Sequence, residues 1–220
     1  MARYVLSLVA VVLVAALVAE ARLGVDVSSL FPQSSWDCIT QAGYTFAIVR
    51  CFRSSNTVDP NCPETVRRAW AAGMKHVDLY MFPCPKCGDV ADQVNRLYQY
   101  IVDNNITYGQ LWIDIEGINS YWGSDQMENR RIFNDLCTAA TQVFSTRFAG
   151  CYVSKRSWNA IFGEDYKDWG NLKVWYALWD YKPGPGNWQP YGNFTHPTIH
   201  QYWGDYKEIC NMDVDLDYCE

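Results

Sequence analysis

Histidine is scarce in this chain, with three residues among 220, at positions 76, 196 and 200. They stand in no ligand-like spacing, so no metal centre and no cofactor are expected; His196 and His200 read as structural. Basic residues are in deficit, 18 Lys and Arg against 24 Asp and Glu, for a net charge of −6. A surface of that sign repels a phosphate backbone, which excludes nucleic acid as a partner. It fits an acidic compartment, where many carboxylates are partly protonated. Internal repeats, low-complexity stretches and composition shifts that would mark a second domain are all missing.

One long apolar run is present, from Tyr4 to Ala19, broken only by Ser7 and preceded by Arg3. It is shorter than the roughly 20 residues of a spanning helix. It ends in Ala19-Glu20-Ala21, a small-residue cleavage pattern without a basic stop-transfer flank. Residues 1–21 therefore read as a signal peptide and 22–220 as one domain, with no membrane association once the leader is removed. Nine cysteines, all after the leader, fit an oxidising compartment. Cys210 and Cys219 bracket a short segment and are expected to pair locally, while Cys84 and Cys87 have C-x-x-C spacing that secretion assigns to a disulfide. One cysteine is left over, buried as a thiol or linked to another molecule. Asn105-Ile106-Thr107 and Asn193-Phe194-Thr195 are sequons for N-glycosylation.

Short β-branched or aromatic runs recur at Leu23–Ser28, Thr45–Cys51, His76–Phe82, Gln110–Gly117, Phe148–Ser154, Leu172–Trp179, Pro197–Trp203 and Met212–Tyr218. Helical patterns separate the early ones, at Ser35–Ala42, Cys62–Ala72, Asp89–Asn104, Asp125–Phe144 and Lys155–Phe162. Pro183-Gly184-Pro185-Gly186 cannot continue a helix, so the last three strands are expected to be joined by loops. Eight strands is the number that closes a β/α barrel. The expected fold class is α/β: a single irregular, TIM-like β/α barrel of eight strands whose final connections lack helices. A doubly wound open sheet is the alternative, since strand order is not readable from one sequence.

Side chains on a strand alternate faces. In Leu111-Trp112-Ile113-Asp114-Ile115-Glu116-Gly117 the aliphatic residues share one face, while Trp112, Asp114 and Glu116 share the other. Under a layer of helices the aliphatic face turns outward, and both carboxylates point into the barrel near its C-terminal end, where barrel enzymes place their chemistry. Two acids side by side in a buried place cannot both ionise easily, so one keeps its proton, as a general acid must. The same pattern puts Asp26 inward on the first run and Asp213, Asp215 and Asp217 on one face of the last. The first and last strands of a closed barrel are neighbours, so these acids converge. Asp78 reads equally as inward-facing or as a salt-bridge partner. Tyr80, Trp112, Tyr152, Trp175, Trp179 and Tyr202, at strand ends, are candidate platforms for sugar rings, whose apolar C–H faces suit flat aromatics.

With those residues in hand, the chain resembles family 25 glycoside hydrolases, the Chalaropsis-type lysozymes, in their animal and protist branch. The resemblance is carried in order by Gly24-Val25-Asp26-Val27-Ser28, Phe82-Pro83-Cys84, Asp114-Ile115-Glu116, Tyr152-Val153-Ser154 and Val214-Asp215-Leu216-Asp217. It implies hydrolysis of the β-1,4 bond between N-acetylmuramic acid and N-acetylglucosamine in bacterial peptidoglycan by a secreted or lysosomal monomer. Glu116 would be the general acid and Asp114 would position or stabilise the intermediate, with Asp26 and Asp215 completing an acidic floor. Family members often carry Asn where Asp217 stands. The competing readings are a chitinase-like acetylhexosamine hydrolase and a catalytically silent peptidoglycan-binding lectin.

Overall fold

The computed structural model describes residues 21–169 and 171–220. The expected leader lies outside them except for Ala21. Strand β1 (Arg22–Val27) leads through helix α1 (Gln33–Gln41) to β2 (Tyr44–Arg53), which folds back on a two-residue strand β3 (Thr57–Val58). The chain continues as α2 (Cys62–Ala71), β4 (His76–Met81), α3 (Val90–Asp103), β5 (Leu111–Asp114), α4 (Gln126–Phe144), β6 (Phe148–Val153) and α5 (Lys155–Phe162). It ends with β7 (Lys173–Ala177), β8 (Ile199–Ile209) and β9 (Met212–Cys219).

The sheet order β1-β9-β8-β7-β6-β5-β4-β2 is closed by pairing of β1 with β2, so eight strands form the expected barrel and the open-sheet alternative falls. β3 hangs on the edge of β2. Neighbours from β1 through β8 around the helical side are parallel, whereas β9 runs antiparallel to both β8 and β1. The reason lies in the connections: β8 and β9 are joined by a tight turn at Cys210-Asn211, both in the left-handed conformation. A two-residue link permits only an antiparallel partner. Between β7 and β8 the chain runs as a loop with no helix, as the Pro-Gly alternation dictates.

Helix starts follow their caps. Asp89 accepts from the Ala91 and Asp92 N–H groups, Asp125 from those of Met127 and Glu128, and the Ser154 hydroxyl from Ser157. The aliphatic strand faces pack outward: Leu111, Ile113 and Ile115 join Val25, Val27 and the helix residues Leu97, Leu136 and Trp158 in the main core. A second apolar cluster fills the barrel itself, built from Phe46, Ile48, Tyr80, Trp112, Trp175 and Ile199.

Three disulfides join Cys38 to Cys210, Cys51 to Cys62 and Cys84 to Cys87. The expected local pair of Cys210 with Cys219 does not form. Cys210 in the β8–β9 turn reaches instead to α1, tying the two ends of the chain together across 172 residues. Cys219 is a free thiol, as are the buried Cys137 and Cys151. No helix among the described residues is long and apolar enough to cross a membrane.

Candidate active site

The barrel register assembles the acids. Asp26 on β1 lies directly across from Asp215 on β9, and Gly24 from Asp217. On the far side Asp114, the last residue of β5, is level with Tyr152 of β6, which is level with Trp175 of β7. The Ile115 N–H still donates to the Tyr152 carbonyl at 2.9 Å, so the strand direction carries on to Glu116. Gly117 then turns the chain with φ +71°, and a Cβ there would meet the Tyr121 ring at 2.4 Å. Glycine is required at that position by both conformation and space. The loop beyond is fastened by Lys86, whose Nζ donates to the Asn119 and Ser120 carbonyls.

Asp26, Asp114 and Asp217 are buried, and Glu116 and Asp215 are half-buried. Burial, reinforced by the charges of Asp215, Asp217 and Asp114, pushes the Asp26 carboxyl well above the ordinary range, against a bond from Gln201 that lowers it. Burial and the Glu116 charge do the same to Asp114, opposed by the Arg50 cation. Burial also raises Glu116, and Asp215 is pushed up to about 6, first by burial. Asp217 is raised by burial and by Asp215, although the Trp175 indole donates to its Oδ1 at 2.8 Å. These groups titrate together, so the protons held here belong to the cluster. Two buried oxygens, Asp114 Oδ1 and Asp217 Oδ2, have no hydrogen-bond partner among the described residues.

Glu116 opens onto a cavity of about 500 Å³ lined also by Tyr152, Ser154, Arg156, Ala177 and Trp179. Trp179 is 48 % exposed. Its indole N–H donates to Gln201 Oε1 at 2.9 Å, and its ring lies so close to Gly204 that a Cβ there would come within 2.0 Å of it. The exposed face is thus held rigidly at the rim. Tyr152 donates its hydroxyl to the same Gln201 oxygen at 2.9 Å.

The other expected platforms lie elsewhere. Trp112, 1 % exposed, and Trp175, 2 % exposed, fill the barrel beneath the acids and offer no face to a ligand. Trp112 donates to Asp78 Oδ2 and Trp175 to Asp217 Oδ1, the usual fate of a buried indole N–H. Tyr80 is buried beside Trp175 at 6.0 Å between ring centroids. Tyr202 points out of the barrel into the main core, because it follows the inward-facing Gln201 on β8. Asp78 does face inward, but at the opposite end, paired with His76 at 2.7 Å. Asp213 is exposed, which leaves Asp215 and Asp217 as the inward pair of β9.

Sequence reasoning missed four contributors. Gln201 bonds four residues of the site, Arg50 faces Asp114 from β2, and Ser154 and Arg156 line the cavity from the β6–α5 junction. Strand alternation pointed to Gln201 as readily as to Tyr202. Only the pairing of Ala177 with Gln201 fixes which of the two faces in.

A family model described as Lysozyme-like protein 1 matches residues 18–202. A Dictyostelium discoideum protein named probable GH family 25 lysozyme 2 is 37 % identical over 201 residues, covering 91 % of this chain and 92 % of the relative. The same fold occurs in a family GH25 lysozyme from Aspergillus fumigatus, with TM-score 0.72 and 18 % identity over 91 % of this chain and 94 % of that one. It occurs again in the modular autolysin LytC of Streptococcus pneumoniae, solved with a synthetic peptidoglycan ligand. There the TM-score is 0.68 and the identity 15 %, over 91 % of this chain and 47 % of that one. With a match along nearly its whole length, the chain belongs to the glycoside hydrolase family 25 lysozymes.

Proposed function

We propose that this protein is a secreted N-acetylmuramidase that cuts the β-1,4 bond between N-acetylmuramic acid and N-acetylglucosamine in bacterial peptidoglycan. The observation that carries the reading is the pairing of Glu116, half-buried and raised in proton affinity, with the free, buried Oδ1 of Asp114. A sugar seated in the cavity against Trp179 and Tyr152 brings its glycosidic oxygen to Glu116, which donates the proton to the leaving group. Asp114 Oδ1 accepts the N–H of the substrate's acetamide and aims the acetamide oxygen at the anomeric carbon, the substrate-assisted route open to N-acetyl sugars. Glu116, now ionised, removes the proton from the water that completes hydrolysis. To Asp26 and Asp215, paired across β1 and β9, this reading assigns the stabilisation of positive charge at the anomeric carbon.

Peptidoglycan is favoured over chitin by Arg156, an exposed cation on the cavity lip. Chitin is neutral, whereas muramic acid and its peptide carry carboxylates. Purified peptidoglycan digested between about pH 4 and 7, a range set by raised carboxylates, is expected to yield muramic acid at every new reducing end. N-acetylglucosamine at those ends, or cleavage of chitin oligomers, would establish the chitinase-like reading; wall binding without reducing ends would establish a lectin. The leader reading predicts a secreted chain beginning at Arg22, which N-terminal sequencing checks. The native protein is expected to sediment as a monomer.

A further inference from the structure

Gln201 is 1 % exposed and lies at the centre of the acid cluster. Its Nε2 donates to Asp26 Oδ2 at 2.8 Å and to Asp215 Oδ2 at 3.0 Å. Its Oε1 accepts from the Tyr152 hydroxyl and from the Trp179 indole, each at 2.9 Å. Two N–H groups and two lone pairs are the full hydrogen-bonding capacity of a carboxamide, and all four go to residues of this site. The four partners come from β1, β9, β6 and the loop after β7. The amide cannot be reversed, since its oxygen would then face two carboxylates and its NH₂ an indole that is only a donor. No other side chain fits both ends. A lysine cannot accept, and a glutamate adds one more acid to a cluster with too many.

We propose that Gln201 is the positioning residue of this site, aiming Asp26 and Asp215 with one end of its amide and fixing Tyr152 and Trp179 with the other, so that the acid pair and the sugar platform are held as one unit. The charged and titratable groups facing that pair are Asp217 on β9, Asp114 and Glu116 at the end of β5, Arg50 on β2, Tyr80 on β4 and Tyr152 on β6, with Asp205 and Asp213 beside Asp215. Arg50 is the one cation among them, and it is already paired with Asp59. The Gln201 amide is therefore the donor that opposes burial and lowers the proton affinity of Asp26. Only the activity part of this proposal rests on the muramidase reading.

The test compares the native chain with Gln201→Met, which keeps the length and loses all four bonds, and Gln201→Glu, which keeps the two acceptor bonds and loses the two donors. Without the donors, Asp26 and Asp215 gain proton affinity, so ionising them on raising the pH costs more stability. The Tm gap between native and Gln201→Met is expected to widen by about 5 °C from pH 4 to pH 7. The acid limb of the kcat profile is expected to move up by about one pH unit in both variants. KM is expected to rise about tenfold in Gln201→Met, where the platform is released, and to stay near native in Gln201→Glu. A pH-independent Tm gap together with unmoved limbs and equal KM in the two variants would overturn the proposal and leave Gln201 as space-filling. If Gln201→Met does not fold, the limb and KM of Gln201→Glu decide alone. A native chain that fails to cut peptidoglycan, while its Tm gap still widens, sinks the muramidase reading and leaves the positioning role standing.

Discussion

The two ends of the barrel treat buried acids in opposite ways. At the N-terminal end, Asp78 Oδ1 accepts from the Gln110 N–H at 2.6 Å and meets His76 Nε2 at 2.7 Å, while Oδ2 accepts from Trp112 at 2.9 Å. At the C-terminal end, Asp114 and Asp217 each keep an oxygen with no partner among the described residues, and Arg50 opposes the burial of Asp114 only through its charge. Asp59, outside the barrel, resembles Asp78: burial would raise its carboxyl, but bonds from Arg53, Arg50 and the Asn61 N–H outweigh burial and hold it below the ordinary range. A compensated carboxylate stabilises the fold. An uncompensated one costs stability wherever it sits, and under the proposed function the site endures that cost because proton transfer requires it.

Substitutions at the two ends should therefore separate activity from stability. The largest effect is expected from Glu116→Gln, which removes the proposed proton donor: peptidoglycan cleavage should fall about 10³-fold or more, with Tm unchanged or raised. Turbidity clearing of bacterial walls at the native rate would defeat the assignment. Asp78→Ala is expected to do the reverse. It strands the Trp112 indole and the Gln110 N–H, so denaturant unfolding should show a loss of about 3 kcal/mol. The rate per folded molecule at low temperature should change far less than in Glu116→Gln.

The comparison also fixes how stability responds to pH. Groups such as Asp215, raised to about 6 by burial, bind protons more tightly in the folded chain than in the unfolded one. Their contribution is fully present below the unfolded value near 4 and is lost as pH rises through 6. Asp59 is lowered, so its contribution is present above the unfolded value and is lost as pH falls through the folded one. The native Tm is expected to peak near pH 4 to 5 and to decline toward neutrality. In Asp114→Asn that decline should be shallower, because one acid has left the cluster. A native Tm that climbs steadily to pH 7 would show the cluster to be better compensated than its contacts indicate.

Much of the barrel was legible because its elements are local. The aliphatic and acidic faces of Leu111–Glu116 follow from alternation alone, and helix starts at Asp89 and Asp125 follow from capping chemistry. The short β3 was not legible, since two residues carry no periodicity. β8 runs on to Ile209, well past Trp203, because bulges let it follow β9, and bulges leave no clear mark in sequence. The acids Asp26, Asp114, Glu116 and Asp215 were readable as inward residues of their own strands. The fates of Tyr202, Trp112 and Trp175 were not, since these depend on register and on depth within the barrel, which are properties of pairs of strands.

At the rim, the test is Gly204→Ala. The new Cβ would lie within 2.0 Å of the Trp179 indole and must displace it, breaking the bond to Gln201. KM for peptidoglycan is expected to rise about tenfold with kcat less affected, because the lost contact serves ground-state binding. Stability should change little, since the ring is half exposed already. An unchanged KM would show that Trp179 is no platform.

The smallest effect belongs to Asp217→Asn, and it sharpens the comparison most finely. The Asp217 charge acts on Asp26, its Oδ1 accepts from Trp175 and its buried Oδ2 has no partner among the described residues. An asparagine can keep the Trp175 bond on its oxygen and turn its NH₂ toward Asp26, supplying a donor that does not titrate. Replacing the acid removes one of the like charges that raise Asp26, so the Asp26 carboxyl should move down. The acid limb of the activity profile is then expected to shift to lower pH by roughly half a unit, with a stability gain at pH 7 of about 1 kcal/mol. The shift must be opposite in sign to that of Gln201→Met, because one change adds a donor to Asp26 and the other takes one away. Shifts of the same sign in both variants would mean that the limb reports a group other than Asp26.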